Sequence, residues 1–497
     1  MCDISQYNLA TISPVNALHR LIFMREALTY DDVLLVPKRS PVKSRKEVNI
    51  STRLSKSIRL NIPLISANMD SVTESAMAIA MAREGGLGII HQFMPIEDEV
   101  KEVLKVKRSE NIIVEKPYTI GPEKTLREVK EVLEESGVKS LIVVDSSRKL
   151  LGMLTRRDIL FEEDENKKVE ELMTKRSDLV TAPFGIGIED AKVILKNNRI
   201  EKLPLVDEKG DLKGLITAKD IIKSADRPMT SKDIKGRLLV GAAVGVKEGY
   251  LERAGKLIEA GCDLIVVDIA HAHSDLAINA IRNIRKEFGN AEIMAGNIAT
   301  SEAAQDLISA GADSLKVGVG PGSSCITRIV TGAGMPQLTA VMDVAKVANP
   351  LGIPVVADGG LRTSGDVVKA LAAGASTGFS GFLFAGTEET PGITMIKEGR
   401  KYKIYRGSAS FGMALTRKGR ENKDDINPFD YIPEGVEATV PYKGSVAEII
   451  KGLIGGIKSG ISYCGGTNVQ EMQKNAEFVK ITQSGIKESG YHDINRV

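Results

Sequence analysis

The sequence predicts an α/β protein built on a (β/α)8 barrel, or TIM barrel, with a smaller module inserted into it. Short apolar segments alternate with stretches of helical periodicity, and eight such units can be counted along the chain. Glycine and polar residues directly follow these apolar segments, where barrel enzymes carry their sites. At 497 residues the chain has room for a barrel, which often takes about 250 residues, and for one further module.

The predicted barrel strands are apolar on both faces, which is typical of a parallel sheet covered by helices. Two of them flank a helix predicted from about residue 74 to residue 84, and six more follow after residue 237. The eight segments are residues 62–66, 88–90, 238–244, 264–268, 292–296, 314–318, 353–358 and 376–380. Eight strands are the number that closes a barrel of this type.

The ends of these strands carry the residues that could do chemistry. They are Asp70, Asp268, Asn297, residues 318–325, residues 358–360 and Gly381. Any one of them could be an ordinary turn residue. Because all of them follow the C-terminal ends of predicted strands, which meet at one face of a barrel, the set predicts a site at that C-terminal face.

An internal repeat fills the stretch between the second and third predicted strands. Residues 150–159 (LLGMLTRRDI) match residues 212–221 (LKGLITAKDI), and residues 140–145 match residues 203–207. Each copy reads as helix, strand, turn, strand, helix. A unit of about 60 residues is marginally stable alone, so we expect the two copies to pack as a pair.

This repeat resembles a tandem cystathionine-β-synthase (CBS) module, with copies at residues 111–170 and 171–227. The resemblance implies a site for an adenine or guanine nucleotide. Four side chains occupy the motif's ligand-contact positions: Thr155, Asp158, Thr217 and Asp220. The alternative is a spacer or assembly element that binds no ligand.

Composition argues against several classes of partner. A net charge of +2 from 67 basic and 65 acidic residues, with 4% aromatic residues and no Trp, gives no reason to expect nucleic acid. We expect no membrane partner, since no apolar run reaches about 18 residues and residues 1–24 lack a signal peptide's apolar core. Four separated cysteines without CxxC pairs fit a cytoplasmic protein.

A glycine-rich loop around Cys325 is the strongest local signal. In residues 316–328 (KVGVGPGSSCITR), Gly318, Gly320 and Gly322 alternate, so the backbone can approach a ligand closely and present its own polar groups. A lone cysteine is usually a small buried hydrophobe. At the end of such a loop, however, its thiol is readily exposed to substrate, and we predict that Cys325 is reactive.

The remaining organisation follows from composition. Residues 1–27 read as an N-terminal extension, and the barrel is predicted from residues 28–110 and 228–497. Residues 417–430 are highly charged and poor in apolar residues, which predicts a mobile excursion. Beside a barrel mouth such a segment suits a lid, so we predict a flap at about residues 415–440.

With these elements assembled, the chain resembles the IMP dehydrogenase/GMP reductase family over residues 25–495. The resemblance is carried by an ordered series of motifs rather than by one. They are residues 318–327 (GVGPGSSCIT), 358–360 (DGG), 364–366 (SGD), 385–389 (AGTEE), 405–407 (YRG), 433–435 (PEG), 441–444 (PYKG) and 476–479 (AEFV).

The resemblance implies NAD-dependent oxidation of inosine 5'-monophosphate (IMP) to xanthosine 5'-monophosphate. Cys325 would attack C2 of the hypoxanthine ring while hydride leaves for NAD, and water would hydrolyse the resulting thioimidate. A thiolate is both a strong nucleophile and a competent leaving group, so one residue can serve both steps. The other catalytic residues implied are Thr327, Arg420 and Glu434.

Three binding sites are implied as well. The nucleotide cradle would comprise Ser323, Asp358, Gly359, Gly360, Gly381, Phe382, Tyr405, Arg406, Gly407 and Glu434. The NAD site would comprise Asp268, Gly318, Val319 and Gly320. A monovalent cation such as K⁺ would be held by Gly320, Gly322 and Cys325 together with Glu488, Ser489 and Gly490 of a neighbouring subunit, which implies a homotetramer.

The sequence departs from the family pattern at two places. The family's Arg-Gly-Met-Gly-Ser stands here as residues 406–410 (RGSAS), so Ala409 replaces a glycine. The flap of the dehydrogenases carries an adjacent Arg-Tyr pair. Counted back from the motif at residues 433–435, Arg420 lies at the position of that Arg, but Glu421 replaces the Tyr. A neighbouring carboxylate favours a charged arginine, which makes Arg420 a poorer base for water activation.

Two alternatives therefore stay open. A GMP reductase would use the same cysteine, with NADPH delivering hydride to GMP and ammonia leaving; Thr327 and Glu434 serve both enzymes, and Thr331 and Met335 lie in a segment that leans towards reductases. A catalytically idle barrel that senses nucleotides through the CBS pair is the other alternative. The retained Cys325 and Asp268 argue against that reading.

Overall fold

The computed structural model describes residues 24–110, 113–114, 117–225, 227–413 and 432–490. Eight parallel strands close into a barrel, and each pairs with the strands before and after it in the chain, so the predicted barrel is confirmed. The strands are β1 Leu64–Ser66, β2 Leu87–Ile90, β3 Gly241–Val244, β4 Leu264–Asp268, β5 Ile293–Ile298, β6 Ser314–Val317, β7 Val355–Asp358 and β8 Thr377–Ser380.

A helix follows each strand and covers the outside of the barrel. These helices are α1 Ser75–Arg83, α2 Ile96–Ser109, α3 Tyr250–Glu259, α4 Asp275–Glu287, α5 Ser301–Ala310, α6 Gln337–Ala348, α7 Ser364–Ala372 and α8 Val446–Tyr463. Four begin with a Ser or Thr side chain that accepts a hydrogen bond from the first-turn backbone, as N-caps do.

Alternation along the strands divides the core into two layers. In β4, Ile265 and Val267 pack outward against the helices, whereas Leu264 and Val266 belong to the cluster inside the barrel. Because successive side chains of a strand point to opposite faces, the alternation turns Asp268 inward at the C-terminal end. The barrel interior is therefore apolar towards the N-terminal ends of the strands and polar at its mouth, where the strands end.

The insertion between α2 and β3 forms two four-stranded sheets. The first sheet has the order Thr174–Lys175, Leu150–Thr155, Ser140–Val144, Thr119–Ile120; the second has the order Ala182–Pro183, Lys202–Val206, Leu212–Thr217, Ile113–Val114. The helices of this region are Leu126–Ser136, Val169–Leu172, Ile188–Asn198 and Ala218–Ala225, with a short 3-10 helix at Arg176–Asp178.

The two copies exchange their first strands. Ile113–Val114 begins the first copy but pairs with Leu212–Thr217 of the second, and Thr174–Lys175 begins the second copy but pairs with Leu150–Thr155 of the first. An apolar cluster also combines Val144 of the first copy with Val206 of the second. The prediction that the copies pack as a pair is confirmed, because each sheet is completed by the other copy.

The final helix predicted for the first copy is wrong. Residues 156–161 form turns instead. Asp158 Oδ2 accepts from both the backbone N–H and the hydroxyl of Thr155 at 2.7 Å, which resembles a helix start. However, Leu160 is 64% exposed and Phe161 is 92% exposed. Of the three apolar side chains in this stretch, Ile159 alone packs against the apolar cluster of the first copy, and a helix this short is not sustained by so little burial.

Short elements complete the chain around the barrel. Val33–Leu35 pairs with Phe478–Lys480, Thr52–Arg53 with Arg59–Leu60, and Met395–Lys397, Arg400–Arg406 and Glu437–Pro441 form a three-stranded sheet. Further helical segments are Tyr30–Asp32, Arg45–Glu47, Thr327–Thr331, Asn349–Leu351, Val469–Asn475 and Gln483–Glu488. No helix within the described ranges has the length and apolar character to cross a membrane.

The C-terminal end of the predicted flap of about 415–440 lies in a sheet, and the flap itself stays a prediction. Glu437–Pro441 pairs in register with Arg400–Arg406 and is therefore part of a sheet. Residues 414–431, which include the charged stretch, lie outside the described residues.

Candidate active site

Cys325 lies in the loop between β6 and the helix Thr327–Thr331, at the C-terminal face of the barrel. Its thiol donates to Thr327 Oγ1 at 3.2 Å, and that hydroxyl donates to Glu434 Oε2 at 2.7 Å. Thr327 and Glu434 are 107 positions apart in the sequence. The fold thus builds a hydrogen-bonded path from a thiol to a carboxylate, which can draw a proton from a nucleophile.

Backbone hydrogen bonds hold Glu434 beside this loop. Ile326 N donates to Glu434 O at 2.8 Å, and Val436 N donates to Ser324 O at 2.9 Å. The two segments therefore run side by side on either side of Cys325, which fixes the carboxylate relative to the thiol.

Two glycines allow these segments to touch. A Cβ at Gly407 would lie 3.1 Å from Ser324 O and 3.2 Å from the Cα of Gly435, closer than such contacts normally come. Ala409 fits beside them, and its carbonyl accepts from Glu434 N at 3.1 Å. The family's second glycine is thus not needed for this packing, because Gly407 and Gly435 provide the close approach.

The glycines at the start of the loop set its path. Gly318 has φ +151°, and a Cβ there would lie 2.1 Å from Asp358 O. Gly320 has φ +84°, and a Cβ there would lie 2.5 Å from Cγ of Arg328. Arg328, which the sequence did not single out, donates from Nε to Val319 O at 3.4 Å. Its side chain lies against the backbone of the loop.

Several of the predicted cradle residues come together beside Cys325. Tyr405 is 5% exposed, and its ring meets that of Phe382 edge-on, with the centroids 6.4 Å apart. Burial raises the pKa of Tyr405 to about 12, although its hydrogen bond with Ser324 acts in the opposite direction. The phenol therefore remains an O–H donor at neutral pH. Ser323 is exposed, whereas its neighbour Ser324 is buried.

The turn after β7 packs against the same loop. Gly359 and Gly360 have φ of +91° and +74°, a region that favours glycine. A Cβ at Gly359 would lie 2.9 Å from Cγ of Pro321 in the cysteine loop. The preceding Asp358 accepts hydrogen bonds through Oδ2, from Asn297 Nδ2 at 2.8 Å and from Lys316 Nζ at 3.0 Å.

A buried lysine lies at the centre of the barrel mouth. Lys316 Nζ donates to Asp268 Oδ1 at 2.7 Å and to Asp358 Oδ2 at 3.0 Å, and it also contacts Asn297 Oδ1. Burial alone would lower the pKa of Lys316, but the charges of Asp268 and Asp358 raise it overall. No motif assigns Lys316 a role, although it is the one charged residue within the apolar segment 314–318 and that charge is a usable signal.

Arg406, which is predicted to belong to the nucleotide cradle, forms an ion pair within the chain. Its Nε donates to Asp70 Oδ2 at 2.7 Å, and the terminal nitrogen makes a second contact with the same oxygen. The hydrogen bond with Asp70 raises the pKa of Arg406. The pair ties Arg400–Arg406 to the loop after β1, so Asp70 acts within the chain as a support for Arg406.

Two groups of predicted residues do not join this site in the described chain. Arg420 lies outside the described residues. Glu488 ends the helix Gln483–Glu488, followed by Ser489 and Gly490, and this segment is anchored where Ile481 N donates to Asp32 O at 2.9 Å. Its predicted role needs a neighbouring subunit and stays a prediction.

Gly381→Ala tests the close approach in the cradle. A Cβ there would lie 2.5 Å from Met69 Sδ and 3.0 Å from the hydroxyl of Tyr405. We expect KM for the purine nucleotide to rise about tenfold, since overpacking costs about 1–3 kcal/mol, with a smaller change in kcat. Gly455→Ala, on the open face of α8, is the matched control and should leave KM unchanged. An unchanged KM in Gly381→Ala would remove Gly381 from the cradle.

The fold and the site define a (β/α)8 barrel that carries, at its C-terminal face, a cysteine thiol hydrogen-bonded through a threonine to a glutamate, beside turns packed closely through glycines. The family model for the "IMP dehydrogenase / GMP reductase domain" matches residues 27–492. An inosine-5'-monophosphate dehydrogenase of Nitrosopumilus maritimus is 53% identical over 95% of this chain and 99% of its own length. The chain belongs to the IMP dehydrogenase/GMP reductase family and is an oxidoreductase.

Relatives from the other branch are similar to this chain as well. A GMP reductase of Leishmania donovani is 49% identical over 97% of this chain and 100% of its own length. A solved structure of a GMP reductase variant from Trypanosoma brucei, in complex with guanosine 5'-monophosphate, superposes with a TM-score of 0.80 at 46% identity, covering 95% of this chain and 99% of that one.

Proposed function

We propose that this enzyme oxidises IMP to xanthosine 5'-monophosphate with NAD, in guanine nucleotide synthesis, through a covalent intermediate on Cys325. The observation that carries the chemistry is the hydrogen-bonded path from the Cys325 thiol through Thr327 to Glu434. The oxidative direction is supported by the 53% identity to the Nitrosopumilus maritimus dehydrogenase over 95% of the chain.

In the first half-reaction, Cys325 loses its proton along the path to Glu434, and its sulfur forms a bond to C2 of the purine. The hydrogen at C2 departs with its electron pair, and a thioimidate remains on the cysteine. NAD supplies the acceptor for that hydride. Near-attack geometry is needed for such a transfer, and the packed turns around Cys325 provide a rigid frame for it.

In the second half-reaction, water adds to C2 and the carbon–sulfur bond breaks. The product carries the oxygen of water at C2, and Cys325 regains its proton. Overall, IMP, NAD⁺ and water give xanthosine 5'-monophosphate, NADH and a proton. Thr327 and Glu434 can hold a proton in both halves, because a hydroxyl donates and accepts and a carboxylate can be protonated. Arg420 is the further candidate for activating the water.

The site residues fit the ligands that they would bind. Asp358 Oδ2 is occupied by Asn297 and Lys316, which leaves Oδ1 to accept from a ribose hydroxyl. Tyr405, as a protonated phenol, can donate to phosphate together with the backbone near Gly360 and Gly381. Asp268, at the end of β4, would accept from the ribose next to the nicotinamide, beside residues 318–320.

GMP reduction is the second candidate, and specific observations favour it. Glu421 stands where dehydrogenases carry the flap tyrosine, and the Trypanosoma brucei reductase variant shares the fold at a TM-score of 0.80. In that reaction NADPH would supply hydride to C2 of GMP, and the 2-amino group would leave as ammonia. Cys325, Thr327 and Glu434 would serve it equally.

One assay separates the candidates. The purified enzyme should form NADH from IMP and NAD, as measured by the absorbance of the reduced cofactor, and should not consume NADPH with GMP. The reverse pattern would establish the reductase. Inactivity with both pairs, with nucleotide still binding to the 111–227 region, would favour a catalytically idle sensor. Cys325→Ala is the control, because it should be inactive in either assay.

A monovalent cation such as K⁺ fits the cysteine loop. Carbonyl oxygens suit a hard cation, and the glycines at 318, 320 and 322 leave the backbone of the loop open to one. Gly322 O accepts from Cys325 N at 3.1 Å and retains a second lone pair. We propose that Gly320, Gly322 and Cys325 provide carbonyl ligands, and that Glu488–Gly490 of a neighbouring subunit completes the set in a homotetramer.

The cation proposal predicts a dependence on the salt used. Replacing K⁺ by Li⁺ at constant ionic strength should lower kcat, because a smaller ion fits the same carbonyl set poorly, while sedimentation should report a tetramer in K⁺. Equal turnover in both salts would contradict the cation site, and a monomer active in K⁺ would contradict the shared ligand set.

We also propose that residues 111–227 are a CBS pair that binds an adenine or guanine nucleotide. The exchange of first strands and the Thr155–Asp158 hydrogen bonds support a paired module of this kind. Thr217 ends a strand in the same position in the second copy. Calorimetry with ATP and GTP, using a variant with Thr155→Ala and Thr217→Ala as control, tests the assignment.

Free Cys262, Cys325 and Cys464 are consistent with a cytoplasmic enzyme.

A further inference from the structure

We infer that Lys316 is a positioning residue that fixes Asp358 and Asp268 relative to each other, so that nucleotide and dinucleotide binding both depend on one buried ammonium group. The inference rests on the proposed function for the roles of the two aspartates. It gives Lys316 no direct contact with either ligand.

The register of the barrel places Lys316 between the two carboxylates. Leu315 and Val317 of β6 pack outward in the helix-facing cluster, so Lys316 points into the barrel. Asp268 ends β4 and Asp358 ends β7, on opposite sides of β6. The side chain of Lys316 is 2% exposed, and its Nζ lies 2.7 Å from Asp268 Oδ1 and 3.0 Å from Asp358 Oδ2.

Electrostatics requires a cation at this point. Two carboxylates that face one buried spot would repel each other, and an ammonium group between them stabilises both as anions. Neutral amides take up further lone pairs: Asn297 Nδ2 donates to Asp358 Oδ2 at 2.8 Å, and Asn68 Nδ2 donates to Asp268 Oδ2 at 2.7 Å. The hydrogen bonds therefore hold both carboxylates in fixed orientations before any ligand arrives.

This arrangement links the two ligands. Asp358 would accept from the ribose of the nucleotide, and Asp268 from the ribose of the dinucleotide. Because both hydrogen-bond to the same Nζ, neither carboxylate can shift without disturbing the other. Lys316 is buried beneath them, so it acts through the aspartates. Loss of the Lys316 side chain should weaken the binding of both ligands, whereas loss of a residue that serves only one of the two sites should weaken the binding of one ligand.

The chain offers a matched control at the other end of the barrel. Lys107 of α2 is also buried between two aspartates, with Nζ 2.6 Å from Asp263 Oδ2 and 3.1 Å from Asp233 Oδ2. Asp263 directly precedes β4, so this cluster lies at the N-terminal face, away from Cys325. Lys107→Met removes a buried ammonium in the same way and reports the effect of destabilisation alone.

The test measures binding without turnover. In a Cys325→Ala parent, calorimetry gives Kd for IMP, and Kd for NAD at saturating IMP, for the parent and for its Lys316→Met, Lys316→Arg and Lys107→Met derivatives. We expect Lys316→Met to weaken both ligands by about 10- to 100-fold, the effect of losing a hydrogen bond to a charged group. Lys107→Met should leave both values unchanged, and Lys316→Arg should fall between parent and Lys316→Met for both.

Other outcomes would overturn the inference. A shared positioning role would be contradicted if Lys316→Met weakened the binding of only one ligand or of neither. It would also be contradicted if Lys107→Met weakened the binding of both ligands as much as Lys316→Met does. If Lys316→Met does not fold, Lys316→Arg compared with Lys107→Arg decides, because only the former should weaken both ligands. Absence of IMP and NAD binding in the parent would overturn the proposed function and the inference with it, whereas intact parent binding isolates the inference.

Discussion

Cys325→Ala should abolish turnover, lowering kcat by at least about a thousandfold, while the protein still folds and binds purine nucleotide. The expectation follows from covalent catalysis, in which no other group can replace the nucleophile. Steady-state kinetics measures the loss. Mass spectrometry of the quenched enzyme should show a nucleotide adduct on Cys325 in the wild type and none in the variant.

Two other cysteines provide matched controls. Cys262 lies in the loop between α3 and β4, and Cys464 lies at the end of α8. Burial raises the pKa of both thiols, to about 12 for Cys262. Thiols that stay protonated are poor nucleophiles. Cys262→Ala and Cys464→Ala should therefore keep full activity and the adduct. An adduct that persists in Cys325→Ala would show that the nucleophile has been misassigned.

Thr327→Val should lower kcat by about 100- to 10,000-fold, the usual contribution of a positioned proton-transfer group. Valine has nearly the shape of threonine but lacks the hydroxyl that joins Cys325 to Glu434. Stopped-flow kinetics should show slower formation of the adduct, with nucleotide affinity little changed. Glu434→Gln should cause a loss of similar size, because it removes the other end of the same path.

Thr331→Val is the control for this prediction. Thr331 lies one turn further along the same helix and donates to Thr327 O rather than into the site. It should retain wild-type kcat. Full adduct formation in Thr327→Val would contradict the proton path and leave Cys325 to be activated by another group.

The sequence predicted the barrel well because its signals are local and repeated. All eight strands were found, and the errors are of a few residues at their ends, as at 238–244 against the observed Gly241–Val244. Alternating burial cannot be read from uniformly apolar strands, however. From the sequence, position 316 reads only as the start of the cysteine loop, and the structure is needed to show that Lys316 points inward at the centre of the barrel mouth.

The site was predicted from motifs, and its geometry depended on contacts that no motif contains. Glu434 reaches Thr327 across 107 positions, and the sequence offers no local sign of that hydrogen bond. Ser324, rather than Ser323, is the buried partner of Tyr405, since the loop turns its successive side chains in different directions. The missing helix at 156–161 shows the reverse case, in which a local helical pattern does not form a helix because Leu160 and Phe161 stay exposed and bury too little apolar surface.

The most direct test of the proposed reaction follows the hydrogen at C2 of IMP. IMP deuterated at C2 is incubated with NAD and the enzyme, and the reduced cofactor and the peptide containing Cys325 are analysed by mass spectrometry. The proposed reaction requires deuterium in NADH and a nucleotide on Cys325 that has lost the label. NADH without deuterium, or no reduced cofactor and no adduct, would contradict it.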